Sequence, residues 1–575
     1  MKKIILFISC VFCFGFANGQ APTFEWAKSM GGTSAQVVGN SVAADSYGNA
    51  CTTGFFNGTV DFDPGVGAFN LTALSGSNIF ISKLEALGNF VWVKQIGDSA
   101  ISGEGISIAI DAAGNIYTTG HFAGTGDFDP GPGIFNLSAS SGYDIFILKL
   151  DALGNFVWAK NIGGASDERV SSIALDALGN VYTTGCFFGT TDFDPGSGTF
   201  NLTSAGGYDI FISKLDSSGN FILAKNMGGT ISVFGNSIVI DATGNIYTTG
   251  EFNGTADFDP NVGVVNITSA GSYDIFVSKL DALGNFVWAK NIGGTSYERT
   301  RSITLDVFGN IYTTGYFEGT VDFDPNAGTA NLTTASGYDN MFISKLDVSG
   351  NYLWAKSFGG TPGIADGYSI AIDSLGNVYS TGVFYYTVDF DPGVGIFNIT
   401  AVIDSTSFTQ PPDIFISKLD ALGDFVWAKS MGGSSGGAGM SIVLDGSNNI
   451  YTTGGYSGSV DFDPNAGVVN FTSVGVNDIF VLKLSQQPTS INETTNPNSI
   501  SIYPNPNNGT FNISFPSQIK NASIEVYNSL GALVSKKEII NQENTIELLN
   551  QANGLYFVKV MSEDKIVGTR KIIKE

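Results

Sequence analysis

The residues whose types and spacing could do chemistry are carboxylates. Asp-Phe-Asp-Pro occurs seven times. The pairs it sets out are Asp61/Asp63, Asp127/Asp129, Asp192/Asp194, Asp257/Asp259, Asp322/Asp324, Asp389/Asp391 and Asp461/Asp463. Alternate residues of an extended segment share a side. Both carboxylates of a pair can then converge on one cation while Phe turns into the packing. Calcium takes six to eight oxygens, so carbonyls or waters would complete the shell. Ca²⁺ is therefore the one cofactor the sequence suggests. The competing expectation is architectural: the first Asp caps a turn and Pro ends the strand. A Cys/His centre is nearly excluded, with 4 Cys and 1 His in 575 residues. Cys51 and Cys186 fall at different places in their repeats, so no disulfide is expected. His121 has no second His and reads as an incidental loop residue.

The elements that must position these acids are repeats. Successive motifs lie 66, 65, 65, 65, 67 and 72 residues apart, the last interval stretched by an insertion around 403–412. Each unit reads as four short strands, a to d. In the third these are 172–176, 181–185, 209–215 and 221–225. The a–b turn (Asp176 to Asn180) and the c–d turn (Asp216 to Asn220) share an Asp-x-x-Gly-Asn pattern. Asp suits the start of a type I turn, and Gly accepts the left-handed backbone of a bulged hairpin. The recurring Asp that ends strand a is accordingly a turn residue.

A four-stranded antiparallel unit repeated seven times predicts an all-β, seven-bladed β-propeller over 20–485. The phase of the chain supports closure. A d-type strand (Phe24, Glu25, Trp26, Ala27, Lys28) precedes any a strand, and the last unit stops at strand c. The N-terminal strand would supply the missing d and protect both edges.

Strand parity then sorts the loops. The uniform turns emerge on one face; the Asp-Phe-Asp-Pro segments (b–c) and the variable d–a loops emerge on the other. Binding usually resides in loops on a rigid scaffold, so function is expected on the second face. Its asymmetric residues are Glu104, Asp167, Glu168, Arg169, Tyr297, Glu298, Arg299, Arg301 and Asp366. Catalysis needs one asymmetric cluster, whereas near-identical units give symmetric rings, so no catalytic residue is assigned. The main expectation is a non-catalytic binding or adhesion module, with many weak contacts to a repeating ligand such as a surface polysaccharide. The rivals are a carbohydrate-active hydrolase or lyase, with Glu168 and Glu298 as its acids, and a structural matrix protein without a ligand.

Charge and the chain ends narrow this further. Lys and Arg number 27 against 52 Asp and Glu, a net charge of −25. That argues against nucleic acid and suits a cationic surface. Residues 1–19 read as a signal peptide: a basic start, an apolar run over 4–16, then small residues. No later segment approaches transmembrane length, and a monomer is expected. Residues 486–499 read as a linker. From 500 to 575, short alternating runs separated by turn cues such as Asn508-Gly509 predict a small β-sandwich.

Two resemblances follow. Tyr503, Pro504, Asn505 and Pro506, then Asn508 and Gly509, then Gly554, Leu555 and Tyr556, with the terminal Lys571-Ile572-Ile573-Lys574, resemble the type A C-terminal sorting domain of the type IX secretion system. That resemblance implies export across the outer membrane of a Gram-negative bacterium, contact with the secretion machinery and removal of the domain on exit. Gly163-Gly164, the 173–176 strand with Gly179, Asn180, Val181 and Tyr182, and Asp209, Ile210, Phe211, Lys214 and Leu215 are similar to the bacterial SBBP β-propeller repeat. The layout also looks like NHL-type propellers. This implies the fold and no activity.

Overall fold

A computed structural model describes residues 21–97, 101–335, 337–403, 410–486, 501–515, 522–528, 533–539, 541–562 and 565–574. The expected signal peptide, the linker beyond Gln486 and residues 404–409 of the insertion lie outside the described residues. Among the described residues every regular element is a β-strand. The chain divides into two compact units, 1–486 and 487–575.

The third repeat illustrates the first unit. Strand a is Glu168–Leu175, b is Val181–Phe187, c is Asp209–Leu215 and d is Phe221–Gly229, in spatial order a-b-c-d. Asp176 closes the a–b turn. Its Oδ1 accepts the N–H groups of Leu178 and Asn180, both at 2.9 Å, and its Oδ2 takes the Asn180 amide. Gly179 supplies the positive φ, +76°. Strand a starts earlier than the apolar pattern suggests. The b–c connection also carries a short hairpin, Thr190–Asp192 with Asn201–Thr203, that sequence periodicity did not reveal. That hairpin pairs with the d strand of the preceding unit, Gly163 opposite Asp192 and Gly164 opposite Thr191.

Neighbouring sheets share their cores. Tyr117, Ile147 and Trp158 of the second unit pack with Ile173, Phe187 and Phe211 of the third. Phe193, from the motif, is fully buried against Phe187 and Phe211, with ring centroids 5.3 and 5.1 Å away. Serine hydroxyls also link the a strands. Ser107 Oγ accepts from Ile173 N at 3.3 Å, and Ser172 Oγ from Ile238 N at 3.4 Å. The series runs through Ser237, Ser302 and Ser369 to Ser441, whose hydroxyl accepts from Val42 N at 3.2 Å. The N-terminal strand Thr23–Met30 pairs with the last strand, Asp478–Ser485, Ala27 lying opposite Leu482. Lys483 Nζ of the last unit reaches the Ala86 carbonyl of the first at 3.0 Å.

The second unit contains two sheets. One holds Ser501–Tyr503, Thr510–Ser514 and Glu543–Glu547; the other holds Leu533–Glu538, Ala522–Asn528, Gly554–Ser562 and Lys565–Lys574. Phe511, Ile513, Ile524, Val526, Tyr556 and Ile572 form its core.

Candidate functional site

The seven acid pairs are loop braces. Asp192 Oδ1 accepts the N–H groups of Asp194 at 3.0 Å and Phe200 at 2.8 Å. Asp194 Oδ1 accepts from Gly196 N at 2.8 Å. A Cβ on Gly198 would stand 2.1 Å from Asp194 Oδ2, so only glycine lets the loop close over that carboxylate.

The same bonds recur in the other six motifs. The first acids, Asp61, Asp127, Asp257, Asp322, Asp389 and Asp461, each accept the N–H of the second acid and one N–H eight residues on. The second acids each accept the N–H two residues further along. Asp63 accepts from Gly65 N, Asp129 from Gly131 N and Asp391 from Gly393 N, all at 2.8 Å. Asp259 accepts from Asn261 N and Asp324 from Asn326 N, both at 3.0 Å, and Asp463 accepts from Asn465 N at 2.9 Å.

Both members of every pair thus brace their own loop through one oxygen, Oδ1. In Asp63, Asp129, Asp194, Asp259, Asp324, Asp391 and Asp463 these bonds use Oδ1 and do not involve the second carboxylate oxygen. Each turns an oxygen into its own loop, and Asp61, Asp127, Asp192, Asp257, Asp322, Asp389 and Asp461 do the same. Among the described residues no three His, Cys, Asp or Glu side chains gather as a metal cluster.

A further acid column was not visible as a site. Where strand c enters the sheet it carries Asp or Asn: Asn78, Asp144, Asp209, Asp274, Asp413 and Asp478 are buried and Asn340 is half-buried. Asp209 Oδ2 accepts from Ala205 N and the Asn226 amide, both at 3.1 Å. Burial pushes its carboxyl up to about 6, against those hydrogen bonds. These residues explain the recurring Gly-Gly. A Cβ on Gly228 would lie 1.9 Å from Asp209 Oδ1.

The asymmetric residues divide into two groups. Glu168 and Glu298 are 0% exposed, which removes them from the ligand-facing surface. Their place in the loop is held by Val233 in the fourth unit, also buried. Glu168 accepts from Gly164 N at 3.0 Å and Thr191 Oγ1 at 2.8 Å. Glu298 accepts from Gly294 N at 3.2 Å, and its Oε1 has no partner. Burial pushes them up to about 7 and about 8. They brace the d–a loops from within and cannot meet a substrate as placed.

The other group converges at the opening of the a strands. Two columns face each other there. On strand a the residues are Val38, Glu104, Arg169, Phe234, Arg299, Asp366 and Ala438. Their partners on strand b are Phe55, His121, Cys186, Glu251, Tyr316, Val383 and Gly455. Arg299 Nε lies 3.1 Å from Glu251 Oε1, and Arg301 Nη2 3.0 Å from Asp366 Oδ2. Asn236 holds the other Glu251 oxygen and the Thr300 carbonyl. Burial pushes Glu251 up to about 7, against the pull of Arg299. Burial raises Glu104 against Arg169 of the next unit, and it raises Asp366 against Arg301. The Arg169 side chain is 55% exposed, with Asp167 at 3.8 Å. Asp167 also accepts from Tyr143 N at 3.1 Å.

His121 is not in a loop. It lies on strand b, opposite Glu104, with its ring edge-on to Tyr143 at 5.2 Å. Burial and Arg169 lower it to about 4, so it is neutral at pH 7. Cys51 and Cys186 are free and buried, and burial pushes both thiols up to about 12. Sequence reasoning passed over Asn236, Glu251, Tyr273, Tyr316 and Tyr368. Superposing the seven repeats and marking the columns that differ would have found them. On the same face a polar cavity of about 310 Å³ opens beside Asn340, Thr361, Asp389 and Asp391.

In the C-terminal unit the two ends of the motif set meet. Asn505 accepts from Ile573 N at 2.8 Å and donates to the Lys571 carbonyl at 3.0 Å. Asn507 donates its amide to the Ile573 carbonyl at 3.0 Å and accepts from Gly509 N at 2.8 Å. Lys574 Nζ reaches the Leu548 carbonyl at 3.1 Å. Tyr503, Pro504, Asn505, Pro506 and Asn508 remain exposed.

Comparisons with known proteins agree with this division. The family described as a secretion system C-terminal sorting domain matches residues 501–575, and the beta-propeller repeat family matches residues 91–121 and 353–383. The chain carries a type IX sorting domain behind β-propeller repeats. The sorting domain implies contact with type IX secretion machinery and export to the cell surface or beyond it. The chain is 25% identical over 518 residues to an uncharacterized WD repeat-containing protein of Acanthamoeba polyphaga mimivirus, covering 75% of this chain and 36% of the relative. It is 21% identical over 434 residues to the regulatory protein FlaEY of Caulobacter vibrioides, covering 72% and 42%. The chain thus spans less than half the length of either relative. Solved structures similar to it include PorZ, a surface component of the type-IX secretion system of Porphyromonas gingivalis, at 11% identity and TM-score 0.23, covering 95% of this chain and all of PorZ. A fungal alcohol oxidase aligns at 11% identity and TM-score 0.37, covering 96% and 100%. Likenesses at these TM-scores carry no argument about function. Among the described residues no helix is long and apolar enough to cross a membrane.

Proposed function

We propose that this chain enters the periplasm through a signal peptide at 1–19, leaves the cell by the type IX route and acts outside as a non-catalytic binding and adhesion module. Residues 20–485 then form a closed ring of seven blades. The pairing of Thr23–Met30 with Asp478–Ser485 and the run of serine hydroxyls from Ser41 round to Ser441 support closure. The observation that carries the binding reading is where the repeats differ. Units that repeat their turns and braces almost residue for residue diverge at the paired columns opening the a strands. A scaffold has no need of that divergence, and a ligand does. The face presents fixed guanidinium and carboxylate groups with hydrogen-bonding capacity to spare, which suits a hydroxyl-rich ligand such as surface polysaccharide.

The test is made with the full chain in a bacterium that has a type IX system. The intact protein is expected outside the cell and bound to isolated surface polysaccharide. A chain lacking 501–575 is expected to stay in the periplasm. Intact protein that reaches the medium yet is retained by no polysaccharide, cell surface or surface protein would sink the binding reading while leaving the export route standing.

A further inference from the structure

Divergence at the mouth of the a strands has a direction, and it runs through aromatic rings. Phe188 and Tyr208 of the third unit lie 5.8 Å apart, and Tyr208 lies 5.8 Å from Phe234 of the fourth. Phe234 meets Tyr273 at 6.1 Å, Tyr273 meets Tyr297 at 5.4 Å, and Tyr297 stacks on Tyr316 of the fifth unit at 6.0 Å and 27°. Six rings thus follow one another across three units. None is fully buried, and Phe188 is 44% exposed. The backbone makes this order. In these units the d–a segment hydrogen-bonds back to the residue before the preceding unit's strand c, as in Val233 N to the Tyr208 carbonyl at 2.7 Å and Glu298 N to the Tyr273 carbonyl at 2.9 Å. A ring before strand c and a ring opening the next strand a are therefore brought side by side.

The track ends on polar groups set for hydrogen bonding. The Arg301 guanidinium lies over the Tyr316 and Tyr368 rings, 5.8 and 4.9 Å from their centroids, held by Asp366. Arg299 and Glu251 lie beside it, and Asp366 Oδ1 is buried without a partner. The matching positions of the seventh unit are Ala438 and Gly455, so that unit offers neither a ring nor a charge there.

We propose that this track, from Phe188 to the Arg301–Asp366 pair, is a binding cleft for a linear neutral polysaccharide. The inference rests on the binding reading above and deepens it. Rings at a spacing near one sugar unit stack on the apolar faces of successive pyranoses, and the paired guanidinium and carboxylate groups engage the equatorial hydroxyls of the terminal unit. Each cation at the track's end already has its own carboxylate, and the chain carries a net charge of −25. Both facts favour an uncharged polymer over an acidic one. An extended nucleic-acid strand, which would also stack on rings, is disfavoured by the same charge.

The experiment is calorimetric titration of the full chain with soluble glucan, xylan and mannan oligosaccharides, and with oligogalacturonate and a proline-rich peptide as contrasts. The proposal expects binding of a neutral oligosaccharide, weakened about tenfold by Tyr273→Ala and by Tyr297→Ala. Tyr273→Phe, which keeps the ring, should retain affinity, and Leu178→Ala on the opposite face should change nothing. Unaltered binding in both alanine variants would overturn the track while leaving the binding reading intact. A preference for oligogalacturonate or for the peptide would overturn the ligand class. If no oligosaccharide binds, while the chain still adheres to cells or to a surface protein, the track fails and the binding reading survives. If nothing binds at all, both fail.

Discussion

Two adjacent columns of strand b make the most instructive contrast in the molecule. Gly54, Gly120, Gly185, Gly250, Gly315, Gly382 and Gly454 are the same residue in all seven units. The next residue is Phe55, His121, Cys186, Glu251, Tyr316, Val383 and Gly455, different in every one. The two columns share a strand, and strand a faces both. The glycine is fixed by backbone crowding, since a Cβ on Gly185 would lie 1.9 Å from the Arg169 carbonyl oxygen. One residue further on, the residue type differs in every unit, even where the side chain is buried, as at Cys186 and Glu251. Repetition thus marks what the fold requires, and divergence marks positions that the repeat leaves open, which the proposed binding role would use.

The sharpest way to break that contrast is to mutate both columns of one unit. Gly185→Ala sets a methyl against main chain that cannot move aside, and a loss above about 4 kcal/mol is expected. Cys186→Ala, one residue away, removes a small buried thiol and should cost about 1 kcal/mol. Urea unfolding of both variants checks the pair. Equal costs would mean that the varied column is as structural as the fixed one.

Glu168 and Glu298 offer a second contrast, between acids that face solvent and acids that brace. Glu298 has its folded pKa raised from 4.5 to about 8 by burial, so the folded chain holds that proton more tightly than the unfolded one. Its contribution is fully present below 4.5 and is lost as pH rises toward and through 8. Stability should therefore fall over this window by a few kcal/mol. Glu298→Gln, which keeps the shape and cannot ionise, should flatten much of the slope. Thermal melts from about pH 5 to about pH 8.5 read this directly. An unchanged slope in the variant would show that the carboxyl is not buried as described.

How far the sequence reached can be judged on these same residues. The repeat unit, its turns, the pairing of the N-terminal strand with the last one and the sorting domain were legible because period, turn chemistry and motif are local. The bracing role of Glu168 and Glu298 was not, because only the packed d–a loop shows that the position belongs to Val233 in the neighbouring unit. Charge type and loop location suggested exposure, and burial reversed it. The bracing role of the acid pairs was hidden in a related way. Alternation along an extended segment put Asp61 and Asp63 on one side, but the loop after the motif folds back and takes both carboxylates for its own N–H groups. Glu251 escaped for the opposite reason. It sits within a strand, and only the register places it against Phe234 and beside Arg299. The aromatic track was hidden in the same way, since its rings come from strand ends and loops of three units.

The acid pairs give a third test, smaller in size. Asp192→Ala strands the Asp194 and Phe200 N–H groups at a partly open loop, and a cost of about 2 kcal/mol is expected. If the pairs serve only as braces, the wild-type chain should melt at the same temperature with calcium as with chelator. A calcium-dependent rise that vanishes in the variant would return the loops to the recognition surface.

The smallest effect tests the ring itself. Ser172→Ala removes one acceptor, for Ile238 N, within the covalent run of units, and about 1 kcal/mol should be lost. Ser441→Ala removes the same acceptor for Val42 N, between the last unit and the first. In a closed ring the two serines are equivalent and their costs match. In an open array Ser441 has no strand to serve and its substitution costs nothing, while the Ser172 variant is still destabilised. The difference between two small numbers then decides closure, with each substitution controlling for the chemistry of the other.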